Sequence, residues 1–229
     1  GGALLNPWFD RDLSIAGRLV YRDADQQLKQ TAVDFKEPVA MIPSLAIHLD
    51  REANSGRTVN AQKHIPPVLM LAPQADAKTD FRALLAEKFL PAKSEVLDFE
   101  LCFYDTQPAA MVGLKQEFLA SARLDNLLSC YVATQALLAA DGTNTSLMVC
   151  NDHEEVGSVS AIGADGPFLE AVVERIVQAE GSSSLNSVAD KSLMISCDNA
   201  HAAHPNFADM HDVAHMPLLN GGPVIKVNV

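Results

Sequence analysis

The chain has 229 residues, 48% of them hydrophobic and 20% charged, which suits a folded protein with one substantial core or two small ones and requires no disorder. Its formal net charge of -12, with 17 Lys and Arg against 29 Asp and Glu, argues against a nucleic-acid surface or an anionic membrane as partner, since both demand clustered cations. No apolar run approaches the roughly 20 residues that cross a bilayer, and the start lacks the charged-then-apolar pattern of a signal peptide, so a cytoplasmic location is expected.

In chain order, the first half reads as β-rich. Arg18-Leu19-Val20-Tyr21, Thr31-Ala32-Val33-Asp34-Phe35 and Val39-Ala40-Met41-Ile42 are short apolar or alternating runs separated by turn and polar residues. Asp80 to Phe89 predicts a single helix. Glu95 to Tyr104 alternates Phe99, Leu101 and Phe103 against Asp98, Glu100 and Cys102, as in a strand with one wetter face. After Thr106-Gln107-Pro108, helix-period segments begin to alternate with compact apolar runs. This change of character sets a domain boundary near residue 112, with a β-rich region at 1–112 and an α/β region at 113–229.

In the second region, residues 126–138 predict a helix with Leu127, Leu128, Tyr131 and Leu138 on one face. Ser146-Leu147-Met148-Val149-Cys150 reads as a buried strand. Asp165-Gly166-Pro167 opens a second helix with Phe168, Leu169, Val172, Val173, Ile176 and Val177 on one stripe, and Gly181-Ser182-Ser183-Ser184 ends it. Ser192 to Ser196 is a further buried strand. Pro223 to Val229 is another, with Ile225, Val227 and Val229 on one face and Val224, Lys226 and Asn228 on the other. Cys102, Cys130, Cys150 and Cys197 sit in apolar settings with no Cys-x-x-Cys pair, so they read as reduced core thiols. The chain opens on Gly1-Gly2-Ala3-Leu4-Leu5 and closes on Val227-Asn228-Val229, as though cut at both ends inside structured segments.

The densest chemistry lies in Asn151-Asp152-His153-Glu154-Glu155-Val156-Gly157-Ser158, which joins three carboxylates and an imidazole directly after an apolar run. Glu154 and Glu155 can serve one site only if the chain bends, and Gly157 allows a bend. One carboxylate could then ligate a divalent cation while the other takes a proton from a bound water. A solvated acidic loop remains the alternative. Asp125, before a helix, and Asp198, after a strand, could converge with the pair; Asp125 also suits a helix N-cap. His201 and His204 follow Asp198, and His153 could orient a ligand rather than bind. His211 and His215 are four apart, a spacing that can hold zinc on one helix face, but their segment lacks the Glu of the zinc-protease helix motif and favours hydrogen-bonding histidines. Lys226, inside an apolar run, needs an anionic partner or a solvated strand edge.

Five segments in order carry a resemblance: Trp8-Phe9-Asp10-Arg11-Asp12-Leu13, Ser121-Ala122-Arg123-Leu124-Asp125-Asn126, Asn151 to Ser158, His201-Ala202-Ala203-His204-Pro205-Asn206, and Leu219 to Asn228. Together they resemble the aspartyl aminopeptidases of the M18 metallopeptidase family over nearly the whole chain. The resemblance implies an α/β, zinc-peptidase-like catalytic domain holding two divalent metal ions, usually zinc, and an inserted β-rich domain that dimerises. Dimers in the family commonly assemble into a tetrahedral dodecamer. Residues 1–112 then correspond to the dimerisation domain, with flanking catalytic-domain residues at the start, and 113–229 to part of the catalytic domain.

Carried over by position, the resemblance makes Asp125 the bridge between the metals, Glu155 a ligand of one, Asp198 a ligand of the other, and Glu154 the general base. His201 would contact substrate near the metals, and Lys226 would meet the acidic side chain of the substrate's first residue. His48, which composition marks only as a strand-end histidine, matches one that family members lend to the neighbouring subunit's site. Three of the five implied metal-ligand positions fall in this sequence; the family's two ligand histidines lie upstream and downstream of the span. Spacings near Arg51 to Lys63, Met70 to Ala72 and Leu90 to Ala92 are shorter than the family's. The implied function is removal of N-terminal Asp or Glu from peptides. Two alternatives stay open, an aminopeptidase of another N-terminal specificity and a non-catalytic dimerisation or assembly piece. The ligand types leave open which metal is loaded.

Overall fold

The computed structural model describes residues 3–72, 78–181 and 184–227. Helices and sheets are mixed, and the chain divides into two units, one ending at Ser121 and the other starting at Ala122. Among the described residues no helix is long and apolar enough to cross a membrane.

The first unit is built on strands β1 (Leu13–Arg22), β2 (Leu28–Asp34) and β3 (Glu95–Asp105), antiparallel in the order β2-β1-β3. The central strand β1 buries Leu13, Ile15 and Leu19, and its register with β3 shifts between Val20 and Tyr21, a β-bulge. Gly17 lies against β3 so closely that a Cβ there would come 2.0 Å from the Glu100 carbonyl oxygen. The β1–β2 turn is closed by Asp23, whose Oδ1 accepts from the backbone N–H groups of Asp25 and Gln27, both at 2.9 Å, while Lys29 Nζ pairs with Oδ2 at 2.6 Å.

A short helix, α1 (Ala61–His64), is capped by Asn60, and α2 (Phe81–Phe89) by Asp80, whose Oδ1 accepts from the N–H groups of Arg82 and Ala83. The second helix drives Leu85 onto the sheet, where Leu19, Val33, Leu85 and Val96 form the core with Phe35, Phe81 and Phe89 around it. Leu19 and Leu85 are each 0% exposed, so each contributes about 1.5–3 kcal/mol of apolar burial. A second cluster joins Leu13, Ala40 and Ile42 to Trp8 and Phe9. The run at Val39 to Ile42 contributes isolated bridges, Ala40 to Leu13 and Met41 to Val68, in place of a full strand. A hairpin of β4 (Ala110–Val112) and β5 (Phe118–Ala120) straddles the boundary expected near residue 112 and ends just before the division at Ser121.

The second unit contains α3 (Leu124–Ala139), α4 (Phe168–Ala179) and α5 (Leu185–Ala189). Both longer helices fall where sequence periodicity puts them, and Gly181, with φ of 65°, follows α4. Ser182 and Ser183 of the expected helix stop, and Asn228 and Val229 of the last expected strand, lie outside the described residues. The α3 face of Leu127, Leu128, Tyr131 and Leu138 is exposed, and on the α4 stripe only Val177 is fully buried.

The apolar runs Ser146 to Cys150, Ser192 to Ser196 and Pro223 onward form no ladder among the described residues, contrary to the strand reading. A strand needs a neighbour for its N–H and C=O groups, and none is paired to them here. The four thiols do not sit in the core: Cys150 ends one of these unpaired segments, Cys197 follows another, and both are exposed, as is Cys102 on β3, while Cys130 is half-buried.

Candidate active site

The start of α3 is irregular. Asp125 has φ and ψ of -84° and 113°, Asn126 of -112° and 27°, the peptide between them is cis, and Arg123 before them has φ of 62°. No side chain caps this start, so the capping reading of Asp125 is not realised. Instead the following amides tie two acidic segments together. Asn126 donates from Nδ2 to the Cys197 carbonyl at 3.1 Å, Asn199 donates from Nδ2 to the Leu124 carbonyl at 2.8 Å, and Ser129 Oγ donates to Asn199 Oδ1 at 3.0 Å. Asp125 and Asp198 are each followed by an Asn, and the two Asn side chains cross-link the segments that carry the acids. Sequence reasoning passed over Asn126, Ser129 and Asn199; the repeated Asp-Asn dipeptide was the available signal.

Lys226 completes this group. Its Nζ donates to Asp198 Oδ2 at 2.6 Å and to the Asn199 carbonyl at 2.7 Å. Of the two readings of Lys226, the anionic partner is realised and the strand edge is not. The lysine holds the Asp198 carboxyl below the usual carboxylate range, chiefly through this hydrogen bond. Asp125 moves the other way. Water lost from around its carboxyl raises it first, then the negative charges of Asp198 and Glu155, with Lys226 pulling back. Asp125 is exposed as a residue, yet its carboxyl group loses water and faces two further carboxylates, which sets it apart from an ordinary surface acid.

Glu154 and Glu155 lie exposed on a turn between His153, with φ of 59°, and Gly157, with φ of 97°. The Gly157 N–H donates to the Glu154 carbonyl at 2.9 Å, and Ser158 N–H to the His153 carbonyl at 2.8 Å, so the chain bends at the glycine as expected. His153 Nδ1 stands 2.8 Å from Ser160 Oγ, which accepts from Gly163 N–H at 3.0 Å. A Cβ on Gly163 would fall 2.1 Å from the Ser158 carbonyl oxygen, so this close loop requires glycine. His153 therefore ties the loop to Ser160.

The remaining histidines are distributed differently. His201 is exposed, with its ring 5.7 Å from that of His211. His211 Nε2 accepts from the His204 N–H at 3.0 Å, and His215 Nδ1 lies 2.7 Å from Asp212 Oδ2. Between Asn206 and Pro217 there is only a 3-10 turn, Ala208–Met210, so His211 and His215 share no helix face and act in hydrogen bonds. His48 belongs to the first unit, on an exposed turn closed by Leu49 N–H to the Ala46 carbonyl at 2.8 Å, not at a strand end.

The chemistry of this donor set is oxygen and negative charge, which fits a divalent cation: the carboxylates of Asp198 and Glu155 disfavour the ionised form of Asp125, a cost that a cation's counter-charge removes. The set is partial. Among the described residues no three His, Cys, Asp or Glu side chains are arranged to hold an ion.

The family model described as aminopeptidase I zinc metalloprotease (M18) matches residues 1–229. The chain is 56% identical over 233 aligned residues to the Azotobacter vinelandii protein named "Probable M18 family aminopeptidase 2", covering all of this chain and 53% of the relative. It thus spans about half the length of the curated relatives it matches. Among solved structures it is similar to that titled "Cryo-EM structure of the Ape4 and Nbr1 complex", with 35% identity, TM-score 0.79, and coverage of 95% of this chain and 46% of that one. It is also similar to the S. cerevesiae mApe1 dodecamer, with 28% identity, TM-score 0.71, and coverage of 95% and 50%. On the match along its whole length, the chain belongs to the M18 family of zinc metalloproteases.

Proposed function

We propose that this chain is the part of an M18 aminopeptidase that supplies the proton-transfer and first-residue recognition groups, and three carboxylate ligands, for removing N-terminal Asp or Glu from peptides. One observation carries the reading: Asp125, Asp198, Glu155 and Lys226 interact electrostatically as one group, although they come from four separate stretches of sequence. Asp125, Glu155 and Asp198 would hold two divalent ions, zinc by family, with ligands from outside this set. When bound, those ions supply a Lewis acid for the scissile carbonyl and acidify a water.

The chain's own residues then have separable tasks. Glu154 takes the proton of the attacking water and returns it to the leaving amine, a role suited to a carboxylate that stays off the metal. Lys226 has three ammonium protons, of which Asp198 and the Asn199 carbonyl engage two. The third is available to a substrate carboxylate, while a neutral first residue leaves it unpaired. His201 contacts substrate beside the acids, and His48 is lent to the site of a neighbouring subunit. Self-assembly of this kind is supported by the dodecamer of the yeast relative.

The test is a panel of N-terminal aminoacyl substrates on the metal-loaded full-length protein. Preference for Asp and Glu supports the reading; equal rates on neutral residues overturn the specificity, and no turnover on any substrate overturns the activity. An aminopeptidase with a different first-residue preference is the second reading, favoured by the fact that Lys226 is already engaged by Asp198.

A further inference from the structure

His48 sits on a turn that apolar burial does not hold down. Its neighbours Leu45, Ile47 and Leu49 are 54%, 46% and 76% exposed, and His48 itself makes no hydrogen bond or ion pair among the described residues. The ends of this stretch are fixed instead by polar contacts to two adjacent residues. At one end, Asp10 Oδ1 accepts from Ser44 N–H at 2.8 Å and Oδ2 from Ser44 Oγ at 2.6 Å. Asp10 is itself set in place by donating its N–H to the Ile42 carbonyl at 2.9 Å. At the other end, Arg57 Nε pairs with Asp50 Oδ2 at 3.0 Å, with both side chains largely buried, and the guanidinium lies 4.2 Å over the Phe9 ring. Phe9 in turn packs on the cluster of Leu13, Ala40 and Ile42. Both anchors of the loop therefore meet at Phe9-Asp10, just before the first residue of the central strand β1.

We infer that Asp10 and Arg57 are positioning residues which clamp the 44–57 loop and thereby fix His48 in the geometry it needs at the substrate. The inference rests on the substrate role proposed for His48. A loop without buried apolar side chains has many accessible conformations, and two charge-assisted contacts at its ends remove most of that freedom before substrate arrives. Releasing either end displaces the imidazole without altering its chemistry.

A double-mutant cycle in the metal-loaded full-length protein tests this, with kcat and KM measured for His48→Ala, Asp10→Ala, Arg57→Ala and each anchor variant combined with His48→Ala. Each single change is expected to lower kcat/KM by about 10- to 100-fold, the scale of a displacement on the order of 1 Å. The doubles should be no slower than His48→Ala alone. Losses that multiply in the doubles, or anchor variants at the wild-type rate, overturn the positioning role while leaving the role of His48 standing. A wild-type rate for His48→Ala removes the reading of His48 and this inference with it. If Asp10→Ala does not yield folded protein, Arg57→Lys keeps the charge opposite Asp50 but loses the stack on Phe9. It should be slowed only while His48 is present; slowing on the His48→Ala background as well overturns the clamp.

Discussion

Lys226 Nζ lies 2.6 Å from Asp198 Oδ2, so the residue assigned to substrate recognition is hydrogen-bonded to a residue assigned to the metal. Recognition and metal binding are therefore coupled through one carboxylate. Lys226→Ala should cost about 10- to 100-fold in kcat/KM for Asp and Glu substrates, the worth of a hydrogen bond to a charged group. It should cost neutral substrates less, since they lose only the support that Lys226 gives to Asp198. A loss of equal size on both classes would place Lys226 in the support of Asp198 alone.

Asn199 ties the same site from the other side, bonded to Leu124 and Ser129. Asn199→Ala removes both of these ties and leaves only Asn126 to the Cys197 carbonyl, so the register of Asp125 with Asp198 loosens. Metal affinity should fall by about 10- to 100-fold, as when a residue that orients a ligand is removed. Competition with a chelator measures it, and unchanged affinity would show that the two acids are held by other means.

Asp23 offers a pH test of the first unit. Its carboxyl is held below the usual range, first by the hydrogen bond from Lys29 and then by the backbone N–H of Gln27. A carboxyl depressed on folding contributes stability that is complete above its unfolded pKa and is lost as pH falls through the folded one. Asp23→Asn keeps an acceptor for the turn and removes the charge. The variant should melt below the wild type at neutral pH, with the gap closing as pH falls below the folded pKa and narrowing in high salt. A gap independent of pH would assign the effect to the turn alone.

Gly17 tests the sheet. With a Cβ 2.0 Å from the Glu100 carbonyl oxygen, Gly17→Ala must push β1 from β3. The expected cost is about 1–3 kcal/mol, the usual range for overpacking, measured as a lower urea midpoint for the first unit. An unchanged midpoint would mean that the strands separate freely at that position.

The parts legible in the sequence are those whose partners are close in type and pattern. Asp80 to Phe89 was legible as a helix, which Asp80 caps, and the alternation in β1, β2 and β3 survives because the three strands satisfy one another. Leu147, Leu193 and Ile225 look equally strand-like, yet remain 57%, 86% and 91% exposed with no ladder. Pairing is a property of two segments, and a local apolar run specifies only one of them. The site divides in the same way. Asp125, Glu155, Asp198 and Lys226 were visible as residue types at element ends, and they interact as one group. The repeated Asp-Asn dipeptide marks Asn126 and Asn199, while Ser129, a hydroxyl within a helix, has no distinctive spacing.

The assignment of Glu154 as the proton carrier is the central claim, and Glu154→Gln in the full-length protein tests it most directly. Kcat and zinc content should be measured on the same sample. A fall in kcat of about 100- to 10,000-fold, the usual worth of general acid–base catalysis, with zinc content unchanged, is the expected result. Retained turnover, or a loss that follows the loss of zinc, would contradict the assignment.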